Sequence, residues 1–211
     1  NGTILSANRN FLDIFGYELD EIVGKHHRMF CEPEYAKSDE YAELWAKLGR
    51  GEFHCAEFKR LGKGGREIWL RASYNPVLDG KGRPIRVVKF ATDVTASKIV
   101  NAEYEGMVKA INRSQAVIEF ALDGTVLDAN DKFLSIFGYS RDEVVGKHHR
   151  MLCDPGYAES PEYARFWQTL SGGEYHADEF KRLSKDGSEV WLQASYNPIL
   201  DVEGRPMKIV K

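Results

Sequence analysis

Apolar residues recur along the chain in two rhythms, and the rhythm changes twice in the same order. From Asn8 to Tyr17 they fall as Phe11, Leu12, Ile14 and Phe15, a helical face that ends near Gly16. Leu19 to Val23 makes a second short helix closed by Gly24, and His26 to Phe30 a third short segment before Pro33. Ser38 to Leu48 is the strongest helix: Ser38 can cap it, and Tyr41, Leu44, Trp45 and Leu48 share one face. After Gly49 and Gly51 the period drops to two. Phe53 to Leu61 and Glu67 to Tyr74 flank Gly64-Gly65, with Ile68, Leu70 and Ala72 alternating against Trp69 and Arg71. Asp79-Gly80 to Gly82 turns the chain into a third strand, Ile85 to Thr92. Thr3 to Ala7 reads as a short strand at the start.

The whole pattern is then repeated. Residues 1–89 fall on 123–211 without a gap, and roughly 55 of the 89 pairs are identical. Gly24-Lys25-His26-His27-Arg28-Met29 returns as Gly146-Lys147-His148-His149-Arg150-Met151, and Ala72 to Pro76 returns as Ala194 to Pro198. Gly64-Gly65 becomes Asp186-Gly187, both suited to a two-residue turn with positive φ. A unit this long can enclose its own core, so the chain is a tandem of domains rather than a solenoid. Each unit is α+β, with helices on one side of a small antiparallel sheet. The expected divisions are a first domain at 1–95, a helical linker at 96–114 and a second domain at 115–211.

Between the copies, Ala96 to Ser114 carries Val100, Tyr104, Met107 and Ile111 at spacings of 4, 3 and 4. Two readings stand: a heptad seam that pairs with another helix, or an amphipathic helix packed on its own sheet. The second copy opens with a strand at Val117 to Leu122. Its counterpart in the first copy would precede Asn1, and the second copy stops before its counterpart of Phe90 to Thr95, so the natural protein is expected to continue both ways. That strand is expected to be supplied by upstream residues or by another molecule.

Lys and Arg total 29 and Asp and Glu 32, a net charge of -3, which gives no support to nucleic-acid binding on bulk charge. No apolar run is long enough to span a bilayer, and neither a membrane contact nor a signal peptide is expected. The cysteines are three, Cys31, Cys55 and Cys153, without a C-x-x-C pair, which points to a reducing, cytoplasmic setting. Phosphate-loop, dinucleotide, zinc-protease and serine-hydrolase motifs are absent, so no catalytic residue is assigned and the region is not expected to be an enzyme.

Asn8 with the helix to Tyr17, Gly24, Trp69, Asn75-Pro76 and Asp93-Val94-Thr95 resemble PAS domains with their C-terminal PAC segment. The resemblance implies two PAS domains, each with a five-stranded antiparallel sheet and short helices on one face, the first lacking its N-terminal strand and the second truncated at its last. In PAS sheets the strand equivalent to Val117–Leu122 lies centrally. Asp93 and Thr95 match the motif that passes signals into the following helix. The segment His26-His27-Arg28, then Pro33, Trp45 and Gly51-Glu52, with their repeats, is similar to the PAS regions of aerotaxis receptors and of tandem-PAS transducers of the biofilm-dispersion type. The expected function is therefore the sensory and interaction region of a bacterial chemotaxis transducer. It would relay ligand or redox state to a C-terminal output module. The alternatives are the sensor region of a histidine kinase or diguanylate cyclase, or a cofactor-free dimerisation module. The expected partners are a second copy, the downstream module and chemotaxis coupling proteins.

The family implies cofactor candidates. His26, His27, His148 and His149 lie on the segment that walls the PAS pocket, where an imidazole can ligate haem iron; the alternative is that one caps the short helix and the other is solvated. Non-covalent FAD would draw on Trp45, Trp167 and on His54 and His176, which stand where aerotaxis receptors carry a Trp. The covalent photochemistry of light-oxygen-voltage domains is disfavoured, because its Cys position is His27 and His149. Haem and FAD are open, with purified protein expected to hold neither. Cys55 beside His54 is not repeated, so no metal site is expected. Phe11, Phe15, Trp45, Phe133, Phe137 and Trp167 should face the interior. Trp69 and Trp191 read as packing on the sheet surface, Cys31 and Cys153 as small packing residues, and Phe58-Lys59-Arg60 and Phe180-Lys181-Arg182 as strand steps with solvated basic ends.

Overall fold

The computed structural model describes residues 2–211 and divides the chain into two units, 1–104 and 105–211. In the first unit, α1 (Arg9–Phe15) starts where the Asn8 side chain accepts the Phe11 N–H. It stops at Gly16, whose φ of 73° lies in the left-handed region. The short α2 (Leu19–Ile22), a 3-10 turn at His27–Phe30 and another at Tyr35–Lys37 follow. Ser38 caps α3 (Asp39–Gly49) by accepting the Tyr41 N–H, and Tyr41, Leu44 and Leu48 are buried on its inner face. Strands β1 (His54–Leu61), β2 (Glu67–Leu78) and β3 (Pro84–Asp93) form an antiparallel sheet in that order.

The second unit repeats this arrangement and adds two strands. These are β4 (Ile118–Phe120) and β5 (Val126–Ala129), followed by α5 (Asp131–Phe137), α6 (Arg141–Val144), a 3-10 turn at His149–Leu152, α7 (Pro155–Ala158) and α8 (Pro161–Ser171). Then come β6 (His176–Leu183), β7 (Glu189–Leu200) and β8 (Pro206–Val210), and the sheet runs β5-β4-β8-β7-β6 with every pair antiparallel. The central position of β4, beside the last strand, is the one expected for Val117–Leu122.

Two expectations are corrected, and one of the two readings of the helix between the copies is set aside. Among the described residues the first sheet has three strands, where four were expected for a PAS sheet without its N-terminal strand. Thr3 to Ala7 forms no named strand and contributes the bridge from Thr3 to His26, which Thr125 and His148 repeat in the second unit. The second hairpin needs one left-handed residue rather than two. Gly187 has a φ of 84° and no non-glycine residue has positive φ, while the Asp186 carboxylate accepts from Ser184 Oγ (2.6 Å) and Ser188 N (2.9 Å). The helix between the copies, α4 (Thr95–Ser114), is not packed on its own sheet. Val100, Tyr104, Met107 and Ile111 are all exposed, as are Ile99 and Val108.

The interiors form where the periodicity placed them. Phe15, Phe133, Phe137 and Trp167 are buried and Phe11 and Trp45 half-buried. Phe133 is covered by the unit's first strands, whereas Phe11 has no such cover among the described residues. No described helix is long and apolar enough to cross a membrane.

Candidate functional site

At the centre of each unit one imidazole is held between two phenols. His27 opens a 3-10 turn that the preceding His26 caps, its Nδ1 accepting the Arg28 N–H. The turn aims His27 inward, where Nδ1 lies 3.1 Å from Tyr41 Oη on α3 and Nε2 lies 3.0 Å from Tyr74 Oη on β2. In the second unit His149 repeats this with Tyr163 and Tyr196, both at 2.9 Å. His148 caps that turn as His26 does.

The hydrogen-bond inventory fixes a direction for the second column. Arg182 Nη2 donates to Tyr196 Oη at 3.1 Å. Tyr196 then matches every donor by giving its own hydrogen to His149 Nε2, leaving Nδ1–H to donate to Tyr163. Tyr163 Oη also lies 3.4 Å from His148 Nδ1, whose lone pair already accepts the Arg150 N–H. The column is therefore a chain of neutral donors and acceptors running from the sheet to Tyr163 on α8.

Its electrostatics keep it neutral. Burial, reinforced by the positive charges of Lys89 and Arg60, pushes the His27 imidazole down to about 2. His149 is driven well below its ordinary value by burial, Arg182 and Lys211. Burial raises Tyr74 to about 12 and Tyr163 to about 12. Cys31 and Cys153 sit 4.0 and 3.7 Å from the respective Nδ1 atoms, with thiols pushed up by burial. They are packing residues, as read.

Arg60 and Arg182 correct the expectation of solvated basic ends: both are buried. In a strand, residues two apart share a face, so Arg60 points inward with Phe58 and only Lys59 points out. The guanidinium carbon of Arg60 lies 4.5 Å from the Phe58 ring centroid and 5.1 Å from that of Tyr35. That of Arg182 lies 4.8 Å from Phe180 and 5.9 Å from Tyr157. Lys89 on β3 stands opposite Tyr74 in the ladder, its Nζ 5.1 Å from that ring. Lys211 Nζ lies 4.9 Å from Tyr196. The sequence reading missed both lysines, although alternation from Val87 places Lys89 inward.

The other candidates disperse. Trp45 and Trp167 pack edge-on to the central imidazoles, at 5.7 and 5.4 Å between centroids. His54 is half-buried and His176 exposed at the start of β1 and β6, against Phe58 and Phe180. His176 borders an open cleft of about 320 Å³ shared with Tyr157, Glu162, Arg165, Phe166 and Thr169. Trp69 is half-buried beneath Lys98, while Trp191 is exposed. As they stand, His27 and His149 do not fit an axial haem ligand, because both ring nitrogens are engaged by tyrosines. No described group of His, Cys, Asp and Glu is placed to hold a metal ion.

Asp93 and Thr95 form a latch where β3 becomes α4. Thr95 Oγ1 accepts the Trp69 N–H (2.9 Å), Val94 N–H donates to Trp69 O (2.9 Å), and Thr95 N–H donates to Asp93 Oδ1 (2.9 Å). At the far end of α4, Asn130 Nδ2 donates to the carbonyls of Asn112 (3.1 Å) and Gln115 (2.8 Å). Its Oδ1 accepts from Val117 N and Phe133 N.

Residues 4–91 and 126–211 each match the family model described as the PAS fold. The chain belongs to the PAS family. Its tandem PAS region is 48% identical over its whole length to the biofilm dispersion protein BdlA of Pseudomonas aeruginosa. The aerotaxis receptor of Escherichia coli is 31% identical over 52% of the chain, and the oxygen sensor protein DosP of the same organism 24% over 96%. The chain spans 51%, 21% and 26% of these three proteins. Among solved structures, the PAS domain of a Colwellia psychrerythraea protein superposes with a TM-score of 0.46 at 22% identity, covering 51% of this chain and 91% of that one.

Proposed function

We propose that this tandem PAS region is the sensory and interaction part of a methyl-accepting chemotaxis transducer in the cytoplasm, and not itself an enzyme. The observation that carries the reading is the latch. The sheet that forms the wall of the Tyr–His–Tyr core is joined by Trp69, Asp93 and Thr95 to α4, a helix whose apolar stripe is exposed along its length. A change behind β2 alters Trp69 and with it the N-terminus of α4. Pairing of the Val100, Tyr104, Met107 and Ile111 stripe with a second copy would bury that stripe and link the two chains. The similarity to BdlA and to the aerotaxis receptor supports the same class. Haem and FAD are not needed for this relay, and we infer that purified protein shows neither a Soret band nor a flavin doublet.

The test uses the full-length protein reconstituted with a chemotaxis coupling protein and its kinase. Kinase output should depend on the transducer, and Thr95→Val should shift that output while leaving both PAS units folded. Failure to bind the coupling protein, together with turnover of ATP or GTP by the full-length protein, would favour the kinase or cyclase alternative. Light scattering should give a dimer that Met107→Glu dissociates.

A further inference from the structure

Each core holds a lysine and an arginine and no acid. Lys89 and Arg60 in the first unit, and Lys211 and Arg182 in the second, form no ion pair with any described carboxylate. The Nζ of both lysines and the Nε of both arginines are enclosed without a hydrogen-bond partner. Their neighbours are aromatic rings. Lys89 Nζ also lies 5.5 and 5.8 Å from Phe11 and Phe15. Contacts of this kind return only part of what desolvating a cation costs. Removing a cation from water costs several kcal/mol. Arginine cannot shed its proton to escape that cost. A buried water would match a hydrogen bond but not the charge. The same four-residue grouping of Lys, Arg, Tyr and His is built twice, in copies that differ at roughly 34 (89 − 55) of 89 positions.

We propose that the inner face of each PAS sheet binds a small carboxylate anion, clasped between Lys89 and Arg60 in the first unit and between Lys211 and Arg182 in the second. A carboxylate supplies two oxygens for the lysine N–H and the arginine Nε–H, which makes charge-assisted bonds to both orphaned donors. The anion is a short one, since the surrounding rings already lie within 5–6 Å of each other. Tyr74 meets Phe58 at 5.5 Å and Tyr196 meets Phe166 at 4.9 Å between centroids. Leu44 stands where the second unit has Phe166, so the first site takes the longer acid. The idea rests on the reading of these cores as the sensory part of the region, and it names the ligand class. The groups facing Lys89 are Arg60 from β1, Tyr74 from β2, and His27 and Cys31 from the 3-10 turn, none of them an anion at neutral pH.

The experiment is thermal unfolding of the whole chain in sodium acetate or butyrate against sodium chloride of equal ionic strength. Acetate should raise Tm saturably, by about 4 °C or more at concentrations far above Kd. Lys89→Met should remove the response of the first unit and Lys211→Met that of the second. Butyrate should act on the first unit more than on the second. Equal effects of acetate and chloride, or a response that survives in the double variant, would overturn the proposal. If the variants do not fold, calorimetry on the unmodified protein at pH 8 decides instead. Acetate binding should take up protons, because burial holds the lysines near 7 and the anion restores their charge. Absence of both heat and proton uptake would refute the site. These readouts do not involve kinase output, so a failed site and a failed transducer assignment are told apart.

Discussion

The two PAS units share one core column and surround it with different side chains. The second has a central strand, β4, whose Phe120 ring meets the His149 imidazole at 5.2 Å. The first has no such strand among the described residues, and its sheet ends at β3. Both nevertheless build the same column, His27 or His149 between two tyrosines, to within 0.2 Å in each hydrogen bond. In both units the column is made by the same three elements: the 3-10 turn, the long helix and the strand that carries Tyr74 or Tyr196. What differs is the packing around that column: Phe120 and Phe166 are added in the second unit, where Leu152 and Phe166 stand in place of Phe30 and Leu44. Five rings surround His149 (Phe120, Tyr163, Phe166, Trp167 and Tyr196), while four surround His27 (Phe30, Tyr41, Trp45 and Tyr74).

The largest test of this comparison is removal of the imidazole. His149→Ala should cost about 4 kcal/mol, from a cavity plus two stranded phenols, and His27→Ala about 1 kcal/mol less. Urea unfolding of the whole chain, followed by domain-specific probes, reads the difference. Equal losses would mean that the fifth ring contributes nothing.

Acid should act on both units through the same residues. The folded imidazole of His27 resists protonation down to about 2, whereas the unfolded one titrates near 6.5. The unfolded state therefore binds more protons across that window. Stability is intact above about 6.5 and falls as pH drops, by about 1.4 kcal/mol per pH unit for each such histidine. His149 is shifted the same way, so the second transition should fall as steeply. His27→Leu should flatten the slope of the first unit alone, as measured by urea midpoints from pH 6.5 to 4.5.

A smaller contrast lies in two equivalent asparagines. Asn8 makes one capping bond, to Phe11 N. Asn130 makes that cap and also joins the end of α4 to β4. Asn130→Ala should cost about 2 kcal/mol, from the lost cap and the stranded groups of Asn112, Gln115 and Val117. Circular dichroism melts of the variant and the unmodified protein provide the comparison. The smallest effect is expected at the paired tryptophans. Trp191→Ala, at a position 66% exposed, should shift stability by less than about 0.5 kcal/mol, and Trp69→Ala by more, since Lys98 lies over its ring.

Much of this was legible in the sequence. The period-3.6 and period-2 stretches placed α1, α3, β1, β2 and β3, and the duplication supplied their counterparts. The candidate histidines were found because two adjacent ones recur intact. That one of them caps the short helix was read correctly, but its neighbour is buried rather than solvated, since adjacent residues on a tight turn point in different directions. One histidine became a cap and the other a buried link. Lys89, Lys211, Arg60 and Arg182 escaped because basic side chains on strands ordinarily face water. Alternation alone, followed from Phe58 and Val87, would have turned them inward.

The latch at the start of α4 also sets a rotational phase. The hydrogen bonds at Val94 and Thr95 fix which way the first turn of α4 faces relative to Trp69. From there each residue advances about 100° and 1.5 Å. One residue inserted after Thr95 therefore turns everything downstream by about 100°, while seven return it to within about 20° and lengthen the helix by about 10 Å. A relay through α4 would read such insertions as angle rather than distance, with activity lost and regained on a seven-residue period.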